Sequence, residues 1–154
     1  MRPDARSNAL VLAGSAALLG GALLSQFVGG LFPCEMCYWQ RWPHLAAIAL
    51  GLLAWALGSN RALTALAAIA VLVSGAIGVF HAGVEYHWWE GVTTCTAAPI
   101  TGSTSEVLGS IMATPLIRCD AAQWTLFGIS LAGYNAILSG LIGGGALWLL
   151  RKPR

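Results

Sequence analysis

Four long apolar stretches alternate with short polar segments along the chain. Each is close to the roughly 20 residues that an α-helix needs to cross about 30 Å of hydrocarbon. They run approximately from 8 to 28, 38 to 57, 62 to 81 and 124 to 150. The pattern predicts an all-α membrane protein, a bundle of four transmembrane helices that forms one integral membrane domain over residues 1–154.

Small residues recur every four positions within three of these spans, which is typical of helices whose backbones approach closely. The repeats are Ala13, Ala17, Gly21 and Ser25 in the first span, Ser74, Gly78 and Ala82 in the third, and Gly128, Ala132, Ala136, Gly140 and Gly144 in the last. We therefore expect a tightly packed bundle rather than four independent anchors.

The connection between the third and fourth spans is too long for a simple turn. Ser103 and Glu106 have the spacing of a capping box at the start of a helix. The apolar residues that follow share one helical face: Val107, Leu108, Ile111 and Met112. This pattern predicts a short amphipathic helix on the membrane surface, within the second outer loop.

The composition supports a membrane location and argues against other classes. Hydrophobic residues make up 57% of the chain and charged residues only 9%, with a mean hydropathy of +0.72, so a soluble surface would lack charge. The net charge of +2 comes from scattered basic residues, so nothing indicates a nucleic-acid partner.

The distribution of basic residues predicts the orientation, because Lys and Arg in short loops stay on the cytoplasmic side. Six of the eight lie on one side of the predicted membrane: Arg2, Arg6, Arg61, Arg151, Lys152 and Arg154. We expect cytoplasmic termini, with both cysteine-bearing loops on the outer side, where disulfides persist. The length of the first span and the lack of an A-x-A site favour a retained helix over a cleaved signal peptide.

All four cysteines fall in the two outer loops, Cys34 and Cys37 as C-E-M-C and then Cys95 and Cys119. A C-x-x-C at a helix start is typical of a redox pair, because unpaired backbone N–H groups favour the thiolate. Arg41 follows Cys37 by one helical turn, and its permanent charge can share that face.

Other roles for the cysteines stay open at this point. A zinc site is disfavoured by the wide separation of Cys95 from Cys119, since structural zinc sites usually have two closely spaced pairs. Inert disulfides and buried thiols are further readings. The alternatives to redox catalysis are thus a metal-binding or a structural membrane subunit, and we expect no metal.

Three segments resemble the DsbB family of bacterial disulfide bond formation proteins. They are F-P-C-E-M-C-Y-W-Q-R-W-P-H over 32–44, T-T-C-T over 93–96, and R-C-D-A-A-Q-W-T-L-F-G-I-S-L-A-G-Y-N over 118–135. Proteins of the vitamin K epoxide reductase group also combine four spans with two cysteine pairs. Because their separated pair comes first in the chain, the order found here favours DsbB.

The resemblance implies a quinone-dependent thiol oxidase of the bacterial inner membrane that regenerates a periplasmic dithiol oxidase of the DsbA type. The partner would attack Cys95, with Cys119 leaving, and the resulting dithiol would reduce the Cys34–Cys37 disulfide. Cys37 matches the family position that contacts the quinone, and Arg41 would stabilise the negative charge that develops there.

Two histidines near the same level complete the predicted site. His81 and His87 are candidates for hydrogen bonding to a quinone oxygen or for relaying protons. The quinone is expected to bind non-covalently, and the residues leave open whether it is ubiquinone or menaquinone. They also leave open which DsbA-type oxidase is the partner.

Overall fold

The computed structural model describes residues 3–92, 103 and 117–153. Within these ranges the chain forms four helices and one short hairpin. Their bounds are α1 Pro3–Phe27, α2 Glu35–Ala56, α3 Arg61–Glu85, β1 Thr125–Leu126, β2 Ile129–Ser130 and α4 Leu131–Arg151. The helical prediction is confirmed, whereas the predicted interfacial helix lies, apart from Ser103, outside the described residues.

Three of the helices are long and apolar enough to cross a membrane, namely α1, α3 and α4. The remaining helix, α2, is 22 residues long, but its first half carries Gln40, Arg41 and His44. Pro43 lies inside α2 and does not interrupt it. The chain is therefore a multi-pass membrane protein, and a fourth crossing by α2 stays a prediction.

The last helix begins at Leu131, later than the span predicted from Trp124, because a hairpin comes first. Its strands pair Thr125 with Ser130 and Leu126 with Ile129. The turn between them has left-handed backbone angles, φ 51° at Phe127 and φ 77° at Gly128. Hydropathy could not reveal this turn, because most of its residues are as apolar as those of a span.

Hydrogen bonds attach the hairpin to both of its neighbours. The Tyr86 hydroxyl donates to the Gly128 carbonyl over 2.9 Å and accepts from the Ser130 backbone N–H over 2.9 Å. The Ser130 side chain also caps α4 by accepting from the Gly133 N–H over 3.1 Å. The hairpin is thus fixed to the end of α3 and the start of α4.

The helices form a ring in which each contacts two principal neighbours. The helix α1 packs against α2 and α4, and α3 packs against the same two helices from the other side. Small buried residues let the backbones approach: a Cβ at Gly78 would lie 3.0 Å from the Ala132 carbonyl, and one at Gly143 would lie 2.6 Å from Leu72 Cγ. The small-residue stripe of the third span therefore packs as predicted.

The predicted stripe of the last span is wrong over its second half, since a Cβ at Gly140 or Gly144 would meet none of the described residues within 4 Å. With about 3.6 residues per turn, a four-residue step moves the stripe progressively around the helix. The buried face of α4 instead follows Ala132, Gly133, Ser139, Gly143, Ala146 and Leu150. In the first span, Ala13, Ala17 and Gly21 are likewise exposed and do not pack against a neighbouring helix.

Candidate functional site: a cysteine pair beside an apolar cavity

Cys34 and Cys37 meet at the N-terminus of α2. Cys34 occupies the N-cap position with extended backbone angles, φ −78° and ψ 175°, and Cys37 lies in the first helical turn. This geometry places their Sγ atoms 3.1 Å apart, compared with the ~2.05 Å of a disulfide bond. Closing the disulfide requires only a small approach of the two sulfurs.

The two thiols differ in acidity. The hydrogen bond between Cys34 and Cys37, together with burial, raises the pKa of the Cys34 thiol to about 12. The same hydrogen bond lowers the pKa of the Cys37 thiol below its usual value, despite the opposing effect of burial. Cys37, which lies ahead of the predicted span, is thus the thiol of the reduced pair that loses its proton first.

His81 reaches this pair from α3. Its Nε2 atom lies 3.5 Å from Cys34 Sγ and 3.7 Å from Glu85 Oε1. The imidazole is almost completely buried, and the Glu85 side chain is 8% exposed. The second carboxylate oxygen of Glu85 has no hydrogen-bond partner within the described part of the chain. The sequence reasoning missed Glu85, although its spacing of four from His81 places both side chains on one helix face.

Arg41 is held by α1 rather than by the cysteines. It donates to Gln26 Oε1 over 2.6 Å and to the Ala22 carbonyl over 3.2 Å. Its guanidinium carbon lies 5.2 Å from the centre of the Tyr38 ring, a cation–π contact. The Nε atom is buried and has no partner among the described residues. The guanidinium is therefore fixed in position, and its Nε–H is left to donate a hydrogen bond.

These side chains border one cavity of 270 Å³ that is lined by residues of all four helices. Its walls include Cys34, Cys37, Arg41 and His81 of the predicted site, together with Glu85. On the α1 side the wall includes small residues, among them Ala17 and Gly21 of the predicted stripe. That stripe does not pack against a helix, and it leaves room for a ligand instead.

The outer cysteine pair is described only at Cys119. Cys119 packs against a buried cluster formed by Cys34, Met36 and Val84. Cys95, the predicted attachment point of the partner, lies outside the described residues. The structure thus brings one member of the outer pair to the inner pair.

Short contacts fix the segment on either side of Cys119. Arg118 forms a two-pronged ion pair with Asp120, through Nε at 2.8 Å and an amino group at 2.5 Å. This hydrogen bonding lowers the pKa of Asp120 to about 2. Further along, the Gln123 amide donates to the Phe32 carbonyl, just ahead of the C-x-x-C.

His87 is not part of this arrangement. It lies in an exposed turn after α3 with a left-handed φ of 58°, and it does not border the cavity. His87 was predicted as a quinone contact only because it follows the outer end of the third span. His87 is thus exposed, whereas His81 is buried beside the cysteines.

A buried polar network behind His81 was not predicted. Gln40 Nε2 lies 2.7 Å from His81 Nδ1, and Gln40 Oε1 accepts from Asn135 Nδ2 over 2.8 Å. Asn135 Oδ1 in turn faces His44 Nε2 at 3.0 Å. The four side chains come from α2, α3 and α4 and are distant in sequence, so no local pattern could have indicated it.

Comparison with known proteins agrees with this geometry. The family profile for the disulfide bond formation protein DsbB matches residues 4–149. The chain belongs to the DsbB family. The family resemblance inferred from the cysteine motifs is thus confirmed, and the chain is a membrane protein of disulfide bond formation, in a family of thiol oxidoreductases.

Similar relatives cover most of the chain. A disulfide bond formation protein B from Polaromonas naphthalenivorans is 31% identical, over 96% of this chain and 91% of its own length. Another of that name from Verminephrobacter eiseniae is 29% identical, over 92% and 83%. An uncharacterised protein from Rickettsia prowazekii is 24% identical, over 86% and 79%. No solved structure gives a significant match to this DsbB-family chain.

Proposed function

We propose that the protein reoxidises a periplasmic dithiol oxidase of the DsbA type and passes the electrons to a membrane quinone. The bacterial inner membrane would hold it with both termini in the cytoplasm and both cysteine loops in the periplasm. The observation that carries the proposal is that Cys37, Arg41 and His81 border one cavity, with Cys119 packed against the adjacent cysteine cluster.

The cavity has the properties that a quinone ring needs. An apolar cavity of about 150 Å³ is enough to hold benzene, so 270 Å³ accommodates a substituted ring. Most of its wall is apolar, with a few polar side chains, which is typical of small-molecule sites. Arg41 Nε and one oxygen of Glu85, which have no hydrogen-bond partner among the described residues, supply polar groups at its border.

Electron transfer in this proposal follows the order of the cysteines. A thiolate of the reduced partner attacks Cys95, and Cys119 leaves as a thiolate. A second partner thiol then releases Cys95 and closes the partner's own disulfide. The Cys95–Cys119 dithiol next reduces the Cys34–Cys37 disulfide by the same exchange, and the outer disulfide is restored. Each exchange conserves two electrons and two protons.

The last acceptor must be a strong oxidant. DsbA-type oxidases are themselves strong oxidants, because their reduced form is stabilised, so the thiol pool cannot reoxidise them efficiently. A quinone, when bound, accepts the two electrons and two protons of the inner dithiol. In this chain Cys37 supplies the thiolate at the cavity wall, and Arg41 places a fixed positive charge beside it.

Anaerobic stopped-flow mixing tests this proposal. The purified protein with a soluble quinone analogue is mixed with a reduced DsbA-type partner, and quinone absorbance is followed in wild type, Cys37→Ser and Cys95→Ser. We expect quinone reduction that needs both cysteines. If the reduced partner causes no quinone reduction in folded protein that carries both disulfides, the proposed oxidase function is refuted.

A metal-binding role is the second candidate, and one observation favours it. The ligand atoms of Cys34, Cys37 and His81 all lie within 4.8 Å of one another. Thiol titration and metal analysis of the purified protein separate the two candidates. Two disulfides without bound metal support the oxidase, whereas free thiols with about one equivalent of zinc support the metal site.

A further inference from the structure

The position of the proton on His81 follows from hydrogen bonds that begin two side chains away. Asn135 Nδ2 lies 3.2 Å from the Ser74 backbone carbonyl and 3.1 Å from the Ser74 hydroxyl oxygen. A backbone carbonyl only accepts hydrogen bonds, so the Asn135 atom that faces it is the amide nitrogen. The Ser74 hydroxyl donates to the backbone carbonyl of Gln40 over 2.8 Å. The lone pairs of the Ser74 hydroxyl oxygen are therefore left to accept from Asn135.

The orientation of Gln40 is then fixed from both ends. The atom that faces Asn135 Nδ2 at 2.8 Å must accept, so it is the Gln40 side-chain oxygen. The other end of the amide lies 3.2 Å from the Met36 carbonyl, which requires the amide nitrogen there. Two independent backbone carbonyls, of Ser74 and Met36, therefore demand the same arrangement.

The same amide nitrogen of Gln40 lies 2.7 Å from His81 Nδ1. Because this nitrogen donates, Nδ1 accepts with its lone pair, and the ring proton of neutral His81 lies on Nε2. Gln40, Ser74 and His81 are buried, at 7%, 0% and 2% exposure, so water does not compete for these bonds. The opposite tautomer would set two buried N–H donors against each other.

We propose that Gln40 and Asn135 are positioning residues that hold His81 as the Nε2–H tautomer, with its N–H directed at the Cys34 sulfur and at Glu85. His81 then donates a hydrogen bond to the Cys34 sulfur and holds that sulfur in place when the disulfide opens, while Cys37 is the more acidic thiol of the opened pair. It has no lone pair on Nε2 with which to take a proton from Cys34 or to bind a metal. The role at Cys34 rests on the proposed function, whereas the tautomer itself does not.

This assignment bears directly on the cluster of Cys34, Cys37 and His81. A histidine that binds a metal usually donates its other ring N–H to a carbonyl or a carboxylate. Here the other nitrogen, Nδ1, meets a donor from Gln40 instead. The buried amide therefore opposes metal binding through His81 Nε2, although the distances alone allow it.

Nitrogen NMR of histidine-labelled protein tests the tautomer without quinone or partner, so its outcome is independent of turnover. The chain has only three histidines, His44, His81 and His87. The spectra of His81→Asn and His87→Gln assign the signals. We expect an unprotonated Nδ1 and a protonated Nε2 for His81 in the reduced wild type. A protonated Nδ1 would overturn the proposal by itself.

Gln40→Glu provides a second test, since a carboxylate accepts but cannot donate. The variant keeps the acceptor that Asn135 requires and turns the contact with Nδ1 into one that needs Nδ1–H. We expect the His81 tautomer to switch, which leaves the Nε2 lone pair beside the two sulfurs. Reduced Gln40→Glu should then bind Co²⁺ at least about 10-fold more tightly than reduced wild type.

The exposed His87→Gln variant is the matched control and should keep the wild-type tautomer and cobalt affinity. Equal cobalt affinity in wild type and folded Gln40→Glu, with an unchanged His81 spectrum, would overturn the proposal. Should Gln40→Glu not fold, the wild-type spectrum decides alone.

Discussion

The Cys34 and Cys37 sulfurs lie 3.1 Å apart and share one hydrogen bond unequally. Cys34 caps the helix without a side-chain bond to its backbone and has only 3% of its surface exposed, whereas Cys37 is partly exposed in the first turn. The shared bond raises the pKa of Cys34 to about 12 and lowers that of Cys37. The buried sulfur thus keeps its proton, and the sulfur nearer to solvent loses it first.

Alkylation should show this difference directly. In reduced protein with Cys95→Ser and Cys119→Ser, iodoacetamide should modify Cys37 with a midpoint pH below the usual thiol value of about 8.5. Its rate should rise with pH through that midpoint and then level off, because only the thiolate reacts. Cys34 should stay unmodified until much higher pH. Mass spectrometry of the peptides across a pH series measures both rates.

The matching control is Cys37→Ser in the same background. It removes the thiolate that holds the Cys34 proton, so the pKa of Cys34 should fall and its alkylation at a given pH should become faster. If Cys34 reacts equally slowly with and without Cys37, limited access rather than acidity protects it, and the asymmetry described above is contradicted.

Glu85→Gln should make Cys37 more acidic. After the hydrogen bond from Cys34, which lowers the pKa of Cys37, and burial, which raises it, nearby negative charges including the Glu85 carboxylate raise it further. Replacing this carboxylate with an amide removes the repulsion, so alkylation of Cys37 below its midpoint pH should accelerate several-fold. The exposed Glu90→Gln provides the control and should leave the midpoint where it is in wild type. A midpoint that moves upward in Glu85→Gln would refute the electrostatic argument.

Arg41→Ala should slow quinone reduction by roughly 10-fold or more, the scale of one charge-assisted hydrogen bond. Oxidation of the partner in a single turnover should change much less, because the proposed function assigns that step to the outer cysteines. Stopped-flow measurements of the two half-reactions separate the effects. Gln26→Leu, which removes the 2.6 Å acceptor of Arg41, should show a weaker version of the same selective loss. Equal loss in both half-reactions of Arg41→Ala would count against the role of Arg41 at the cavity.

Gly143→Ala should destabilise the bundle, whereas its neighbour Gly144→Ala should not. A Cβ at Gly143 would lie 2.6 Å from Leu72 Cγ and 2.9 Å from the Ala68 carbonyl, but one at Gly144 would meet nothing within 4 Å in the described part of the chain. Overpacking of this kind costs about 1–3 kcal/mol, whereas alanine in place of an unpacked helical glycine gains up to about 1 kcal/mol. Thermal unfolding in detergent, followed by tryptophan fluorescence, should give a lower Tm for Gly143→Ala alone. Similar Tm values for the two variants would show that α3 and α4 are less closely packed than described.

Much of the helical layout could be predicted from the sequence, because hydrophobic length is a strong local signal. The C-x-x-C at a helix start and the position of Arg41 one turn later are local as well. The hairpin before α4 was missed, since Leu126, Phe127 and Ile129 continue the apolar pattern of a span. Its turn depends on left-handed backbone angles that hydropathy does not report.

The interior of the site could not be predicted, because it is made of long-range pairs. Gln40 and Asn135 come from helices on different parts of the chain, and nothing near either residue indicates the other. The α1 stripe shows the same limit in another form. Small residues such as Ala17 and Gly21 indicate close packing, but only the three-dimensional arrangement shows that they border a cavity.

The hairpin and the Gln123 contact together give Cys119 a short tether. Gln123, four residues after Cys119, is hydrogen-bonded to the Phe32 carbonyl. A fully extended segment of four residues reaches about 14 Å. As long as this anchor holds, Cys119 stays within the neighbourhood of Cys34 throughout a reaction cycle. Under the proposed relay, the exchange between the outer and inner cysteine pairs would then take place at the N-terminus of α2, where Cys119 already lies.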